Sequence, residues 1–342
     1  MRAQLIGIAV LTVVAGVVVV ATDNSDTAIQ AAAHAQFSPS MRVGVWNWTQ
    51  PDFTDTAQDD KNAAVLKDQG VNEVYIDISA YNDYDELTTS NRRAKIDGFS
   101  HALMAEVAAL HKQGISAQAL VGNNHWSDPD AAYIPLKLIN YVHSYNASAS
   151  TDEQLGGIQF DIEFYNDKEF TDNQTQNTSN YLTLVKQLVA LRSQLFGGDS
   201  HFALGFAVPD VLNGRDKSFV PDVAFNGLAA QPPLPSMVSM LKDIPNSYIA
   251  LMTYRNHATG DDGTINLAAS SLKTIEEVGA GKVSVLVSEE TTKQSPAKIS
   301  YYGSTKTVLH NDVGQIEQTY KDNPAFSGVA IEDQDGFLAL KD

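Results

Sequence analysis

The chain has 342 residues, 43% of them hydrophobic, with no cysteine and 41 acidic against 23 basic side chains, a net charge of −18. Ordinary apolar content and modest charge density exclude a disordered chain, and the lack of cysteine excludes disulfide scaffolds, thiolate zinc sites, cysteine nucleophiles and lipid attachment through a cysteine. The acidic balance argues against nucleic acid as a partner, because phosphate binding depends on clustered lysine and arginine. In chain order, Arg2 precedes an uncharged run over 5–21 that ends in small residues, the pattern of a segment for export. The run is long enough to span a bilayer, so cleavage after Ala21 and retention as a membrane anchor both stand as expectations. Residues 22–40 are small and polar and read as a linker, which leaves 41–342 for the folded part.

Eight short runs rich in Val, Ile, Phe and Tyr then recur, at 41–48, 71–79, 115–122, 157–164, 201–208, 248–255, 282–289 and 326–333. Helical periodicity lies between them, clearest over Phe99–Gln113 and Asn180–Leu195, and Gly70, Gly114 and Gly281 fall where helices should stop. The spacing admits a crossover helix after each strand, so the sequence predicts an α/β chain folded as a single (β/α)8 barrel. An open doubly wound sheet is the alternative, but no glycine-rich phosphate loop follows the first run.

In such a barrel, chemistry belongs at the C-terminal ends of the strands. Trp46 and Trp48 stand at the end of the first run, Asp77 at the second, Asn123 and Trp126 after the third, Asp161 and Glu163 on the fourth. Tyr254 and Arg255 end the sixth, Glu289 and Glu290 the seventh, and Glu332 the eighth. Aromatic faces beside carboxylates suit a sugar, whose apolar ring face stacks on an aromatic ring while acids act on the glycosidic oxygen. In GGIQFDIEFY, Gln159, Asp161 and Glu163 share one strand face at period two. Two acids so placed repel when both are charged, which should raise the proton affinity of one. Glu163, nearer the strand end, is expected to be the general acid, with Asp161 deeper as its orienting partner. A structural ion pair or polar packing near the rim is the other reading of this pair.

The segment Gly157–Glu163 resembles the D-G-x-D-x-D-x-E signature of family 18 glycoside hydrolases, and Met252-Thr253-Tyr254 resembles that family's M-T-Y. Gly156 and Gln159 stand where that signature has its first two aspartates. A set of poorly characterised bacterial barrels related to the same clan is similar over more of the chain, through Gly157–Glu163, Trp126, Met252–Arg255, Glu290-Thr291 and Gly328–Ile331. The resemblance implies a glycoside hydrolase with Glu163 as acid, and with Asp161 and Tyr254 stabilising an intermediate formed by the substrate's own N-acetyl group. A second route uses Glu290 as a protein carboxylate opposite Glu163. Strand parity allows only one of Glu289 and Glu290 to face inward, and Glu290 is preferred.

Trp46 and Trp126 are expected as stacking platforms, with Asp77, Asn123, Arg255 and Glu332 binding substrate; Asp77 and Arg255 are candidates to pair across the mouth. His125 and His257 are not spaced like a metal pair, and neither a metal nor a cofactor is expected. The expected partner is a polysaccharide or glycan, bound by a monomer outside the cytoplasm. A non-catalytic glycan-binding barrel is the main alternative, and a barrel hydrolase of another bond type is a third.

Overall fold

The computed structural model describes residues 37–51, 56–197 and 201–342. The expected export segment, and the linker up to residue 36, lie outside these residues. Among the described residues no helix is long and apolar enough to cross a membrane.

Eight parallel strands close into a barrel: β1 (Arg42–Asn47), β2 (Glu73–Asp77), β3 (Ser116–Gly122), β4 (Gly157–Asp161), β5 (Ala203–Pro209), β8 (Ser247–Met252), β9 (Ser284–Glu290) and β10 (Phe326–Glu332). Each coincides with one of the eight apolar runs, so the fold is the expected (β/α)8 barrel. The crossovers carry α1 (Thr56–Asp68), α2 (Ala80–Asp85), α3 (Arg92–Lys112), α4 (Tyr133–Ser148), α5 (Gln174–Phe196), α6 (Pro233–Leu241), α7 (Thr264–Gly279) and α8 (Lys306–Tyr320), and α9 (Gln334–Ala339) follows the last strand. A short antiparallel hairpin, β6 (Val223–Phe225) with β7 (Leu228–Gln231), is inserted before α6. Its turn is Asn226-Gly227, both at positive φ (51° and 81°), the conformation that two-residue hairpin turns require.

Two apolar layers hold the barrel. Outward-facing strand residues such as Val43, Val45, Ile76, Val121, Phe160 and Val287 pack against Leu103, Val107, Leu184 and Leu188 of the helices. These positions alternate with an inward set that includes Trp46, Tyr75, Leu120, Ala207, Tyr248, Ala250, Leu286 and Ala330. Large rings fit inside because small residues face them. A Cβ on Gly44 would lie 2.6 Å from the Tyr75 ring, and one on Gly205 would lie 2.1 Å from the Tyr248 ring.

The lower end of the interior is polar but closed on itself. Glu73 accepts hydrogen bonds from Arg42 (2.6 Å), the Tyr75 hydroxyl (2.5 Å) and Gln118 Nε2 (2.6 Å). The Tyr248 hydroxyl donates to Gln118 Oε1 at 3.0 Å, and the Arg42 guanidinium lies 4.8 Å from the Tyr248 ring centroid. Every charge at this end therefore has a partner of opposite sign or a donor.

Candidate active site

The inward parity that places Trp46 and Tyr75 in the interior carries on to the C-terminal rim. It turns Trp48, Asp77, Gly122, Asp161, Glu163, Tyr254, Glu290 and Glu332 toward the mouth. Register sharpens this: Glu290 and Glu332 are partners on adjacent strands, as are Gly122 and Asp161. Glu289, one residue from Glu290, points the other way. It is fully buried behind the barrel, where desolvation pushes its carboxyl well up, against weaker opposing effects from the Thr264 hydroxyl and the Arg255 amide.

Four of the carboxylates converge on one phenol. Burial raises the Tyr254 hydroxyl well above its usual value, and the charges that add to this are those of Glu332, Asp161, Glu290 and Glu163. The four expected catalytic residues, Glu163, Asp161, Tyr254 and Glu290, are thus brought together, and Glu332 joins them. Within the strand-four pair it is Asp161 whose proton affinity rises, to about 8, through desolvation first and the Glu163 charge second. Its Oδ1 is buried without a hydrogen-bond partner. Glu163 lies just past the end of β4 and accepts from the Tyr165 hydroxyl at 2.5 Å and from Asn166 Nδ2 at 3.0 Å.

The Glu290 carboxylate is held by its own loop. Thr292 donates from its amide (2.6 Å) and hydroxyl (2.8 Å), and Gln294 Nε2 donates at 3.0 Å. Burial raises Glu290 while these donors oppose the rise. Glu332 accepts from Trp48 Nε1 at 2.8 Å, and burial, then Asp161 and Glu290, push its carboxyl well up.

The aromatic platforms differ from those expected. Trp46 is 2% exposed inside the barrel and donates to Gln159 Oε1 at 2.7 Å, so it is part of the floor. Trp126, 6% exposed, belongs to the apolar layer beneath the helices and has no open face. The tryptophan at the mouth is Trp48, partly exposed and lying over Gly122, where a Cβ would come within 3.1 Å of its ring. Two steps along the same strand face distinguish floor from rim, a difference in depth that parity alone does not express.

The remaining candidates divide. Asp77 is buried at the rim, takes hydrogen bonds from Gln50 Nε2 and the Ser79 amide, and has its carboxyl raised by burial. Arg255 does not reach it: its guanidinium is engaged by Asp262 (2.9 and 2.8 Å) and the Tyr254 carbonyl (2.7 Å). Lys298 also binds Asp262 at 2.6 Å, and the bonds from Arg255 and Lys298 lower that carboxyl to about 2. Arg255 therefore pins the loop that carries Tyr254. Asn123 is exposed, and its Oδ1 accepts from the His125 amide at 2.9 Å, which shapes the turn after β3. Among the described residues one group has the donor set for a cation: His125, Asp128 and Asp167. The His125 Nδ1 lies 2.8 Å from Asp128 and 3.2 Å from Asp167, so the ring itself already lies against both carboxylates.

No protein family and no curated protein matches the sequence. Among solved structures, an endo-β-mannanase/endo-β-glucanase of Prevotella bryantii is similar with a TM-score of 0.54 and 12% identity, over 88% of this chain and 46% of that one. The chain thus spans under half the length of that protein. A GH18 chitinase from Pseudoalteromonas aurantia aligns with a TM-score of 0.46 and 13% identity, over 87% of this chain and 98% of that one. A chitinase from Bacteroides thetaiotaomicron gives 0.47 and 13%, over 86% and 90%. At such identities the likeness establishes the barrel fold alone.

Proposed function

We propose that the protein is an exported hydrolase of glycosidic bonds in a polysaccharide or glycan, with Glu163 as the general acid. The observation that carries this reading is the gathering of Asp161, Glu163, Tyr254, Glu290 and Glu332 at the C-terminal ends of the strands, with Glu290 and Glu332 in register on adjacent strands. Trp48 beside them offers a ring face for a sugar. In this account Glu163 gives its proton to the glycosidic oxygen as the bond from the anomeric carbon to that oxygen breaks. The proton comes from the Asp161–Glu163 pair, which repulsion keeps from losing both protons and in which the inner Asp161 holds its own up to about 8. Positive charge developing on the sugar is met by Glu290, which either attacks the anomeric carbon or draws the proton from an attacking water, according to its separation from Glu163. The loss of two aspartates at Gly156 and Gln159 weighs against the N-acetyl route and toward a protein carboxylate. Export rests on the apolar run over 5–21.

A glycan-binding barrel without turnover is the second reading, favoured by the three donors that already occupy the Glu290 carboxylate. Hydrolysis of a panel of neutral, acetylated and amino glycans by the parent and by Glu163→Gln separates the two. The hydrolase reading expects turnover in the parent and a loss of about 10²–10⁴-fold in the variant, the usual contribution of a positioned acid. Binding without turnover in the parent supports the lectin-like reading, and equal turnover in both removes Glu163 as the acid.

A further inference from the structure

The mouth is rich in negative charge and poor in positive charge. Glu290 and Glu332 face the same space from adjacent parallel strands, in register and so about 4.8 Å apart along the backbone. Donors already hold both side chains: Thr292 binds Oε1 and Gln294 binds Oε2 of Glu290, and Trp48 binds Oε1 of Glu332. These bonds favour the accepting form of each side chain, but burial and the neighbouring carboxylates outweigh them and push both carboxyls up, Glu332 well up, so a cation between the two would restore their charged form. Three further groups of the inward face lack a partner: Gln159 Nε2 deep in the floor, Asp161 Oδ1, and the hydroxyl of fully buried Ser288, one inward step below Glu290.

Among the described residues, three basic side chains of the neighbouring loops are committed elsewhere. Arg255 is committed to Asp262 and the Tyr254 carbonyl, Lys298 to Asp262, and Arg215 to Asp210. Lys293 lines a groove of about 600 Å³ with Tyr302 and Leu340. A neutral sugar entering the mouth displaces water from these carboxylates and returns no positive charge, which is costly in a desolvated site.

From this arrangement we infer that the site takes a glycan with free amino groups, the ammonium of a 2-amino-2-deoxy sugar seated between Glu290 and Glu332. An ammonium has three donors and no acceptor, which matches a surround of two carboxylates and unpartnered oxygens. Its charge offsets the repulsion between the pair, and Trp48, bonded to Glu332, supplies the adjacent ring face. The inference rests on the glycan reading above and narrows it to a substrate class.

The test is titration calorimetry with a short glucosamine oligomer and its N-acetylated counterpart, with a cello-oligomer as the neutral control. It is run at about pH 6, below the range of about 7.7–8.0 where α-amino groups titrate. The amino oligomer should bind at least about tenfold more tightly than either control, roughly what one desolvated charge pair contributes. Glu290→Gln and Glu332→Gln should each remove that preference. Asp97→Asn, on the exposed face of α3, should retain it, since the general attraction of an acidic protein for a cation is spread over its surface. Should a glutamine variant fail to fold, thermal shift of the parent by free glucosamine against N-acetylglucosamine reads the same preference.

Equal or tighter binding of the acetylated or neutral oligomer overturns the inference, as does an equal loss of preference in Asp97→Asn. The two levels fail separately. Glu163-dependent hydrolysis of acetylated or neutral glycans alone keeps the hydrolase and overturns the ammonium site. Preferential binding of the amino oligomer without hydrolysis of any glycan keeps the site and overturns the hydrolase.

Discussion

At the N-terminal end of the barrel one buried carboxylate, Glu73, receives a guanidinium, a phenol and an amide; at the C-terminal end Asp161, Glu163, Glu290 and Glu332 surround a phenol with no cation among them. Both ends are polar, both are built on the inward faces of the same strands, and they balance charge in opposite ways. The lower network gives its carboxylate both a cation and neutral donors. The upper cluster is left short of positive charge, with Asp161 raised and one of its oxygens unpartnered. Barrel proteins place stability at the first end and chemistry at the second, and here the division is visible in electrostatics alone. An unbalanced cluster is costly to the fold, so it is retained where something bound repays it.

Substitutions at the two ends should separate these roles. The largest loss of stability is expected at the bottom. Arg42→Met leaves Glu73 without its cation and should cost about 3 kcal/mol, the low end for breaking a buried pair because Arg42 retains some exposure. Urea denaturation measures the cost, and turnover per folded molecule should not change. Next comes packing of the interior. Gly205→Ala drives a Cβ into the Tyr248 ring and should cost about 1–3 kcal/mol, again with the mouth untouched.

The most diagnostic effect is at the top, in the pH dependence of stability. Folded Asp161 keeps its proton up to about 8, whereas an unfolded aspartate releases it near about 3.9. Between those values the native state binds more protons, so this residue makes stability fall as pH rises. Asp161→Asn should therefore flatten the stability profile across that window and leave the variant more stable than the parent at about pH 8, read from melting temperature against pH. A variant that is less stable than the parent throughout would place a stabilising partner on Asp161.

Much of this was legible in the sequence, for identifiable reasons. Strand and helix periods marked all eight barrel strands, and position at the strand ends drew attention to Asp161, Glu163, Tyr254, Glu290 and Glu332. Depth was not legible. Trp46 and Trp48 share parity, and only the register of β1 against β2 shows that Trp46 is level with Tyr75 in the floor. Trp126 follows its strand but is buried in the apolar layer, a placement set by tertiary packing. The Asp262 partner of Arg255 lies in the same loop, where no periodicity applies. The Arg42–Glu73–Gln118–Tyr248 network joins four strands that are distant in sequence and so left no local trace. The β6–β7 hairpin did leave one, the Asn226-Gly227 turn flanked by apolar residues.

The central claim is that one end of the barrel holds the fold and the other does the chemistry. It is tested most directly by making the same isosteric change at both ends, Glu73→Gln and Glu163→Gln, and measuring unfolding free energy and glycan hydrolysis for each. The account predicts a less stable Glu73→Gln whose folded fraction turns over like the parent, and a Glu163→Gln that melts like the parent and has lost turnover. The reverse pattern, or equal losses of both quantities in both variants, would contradict it.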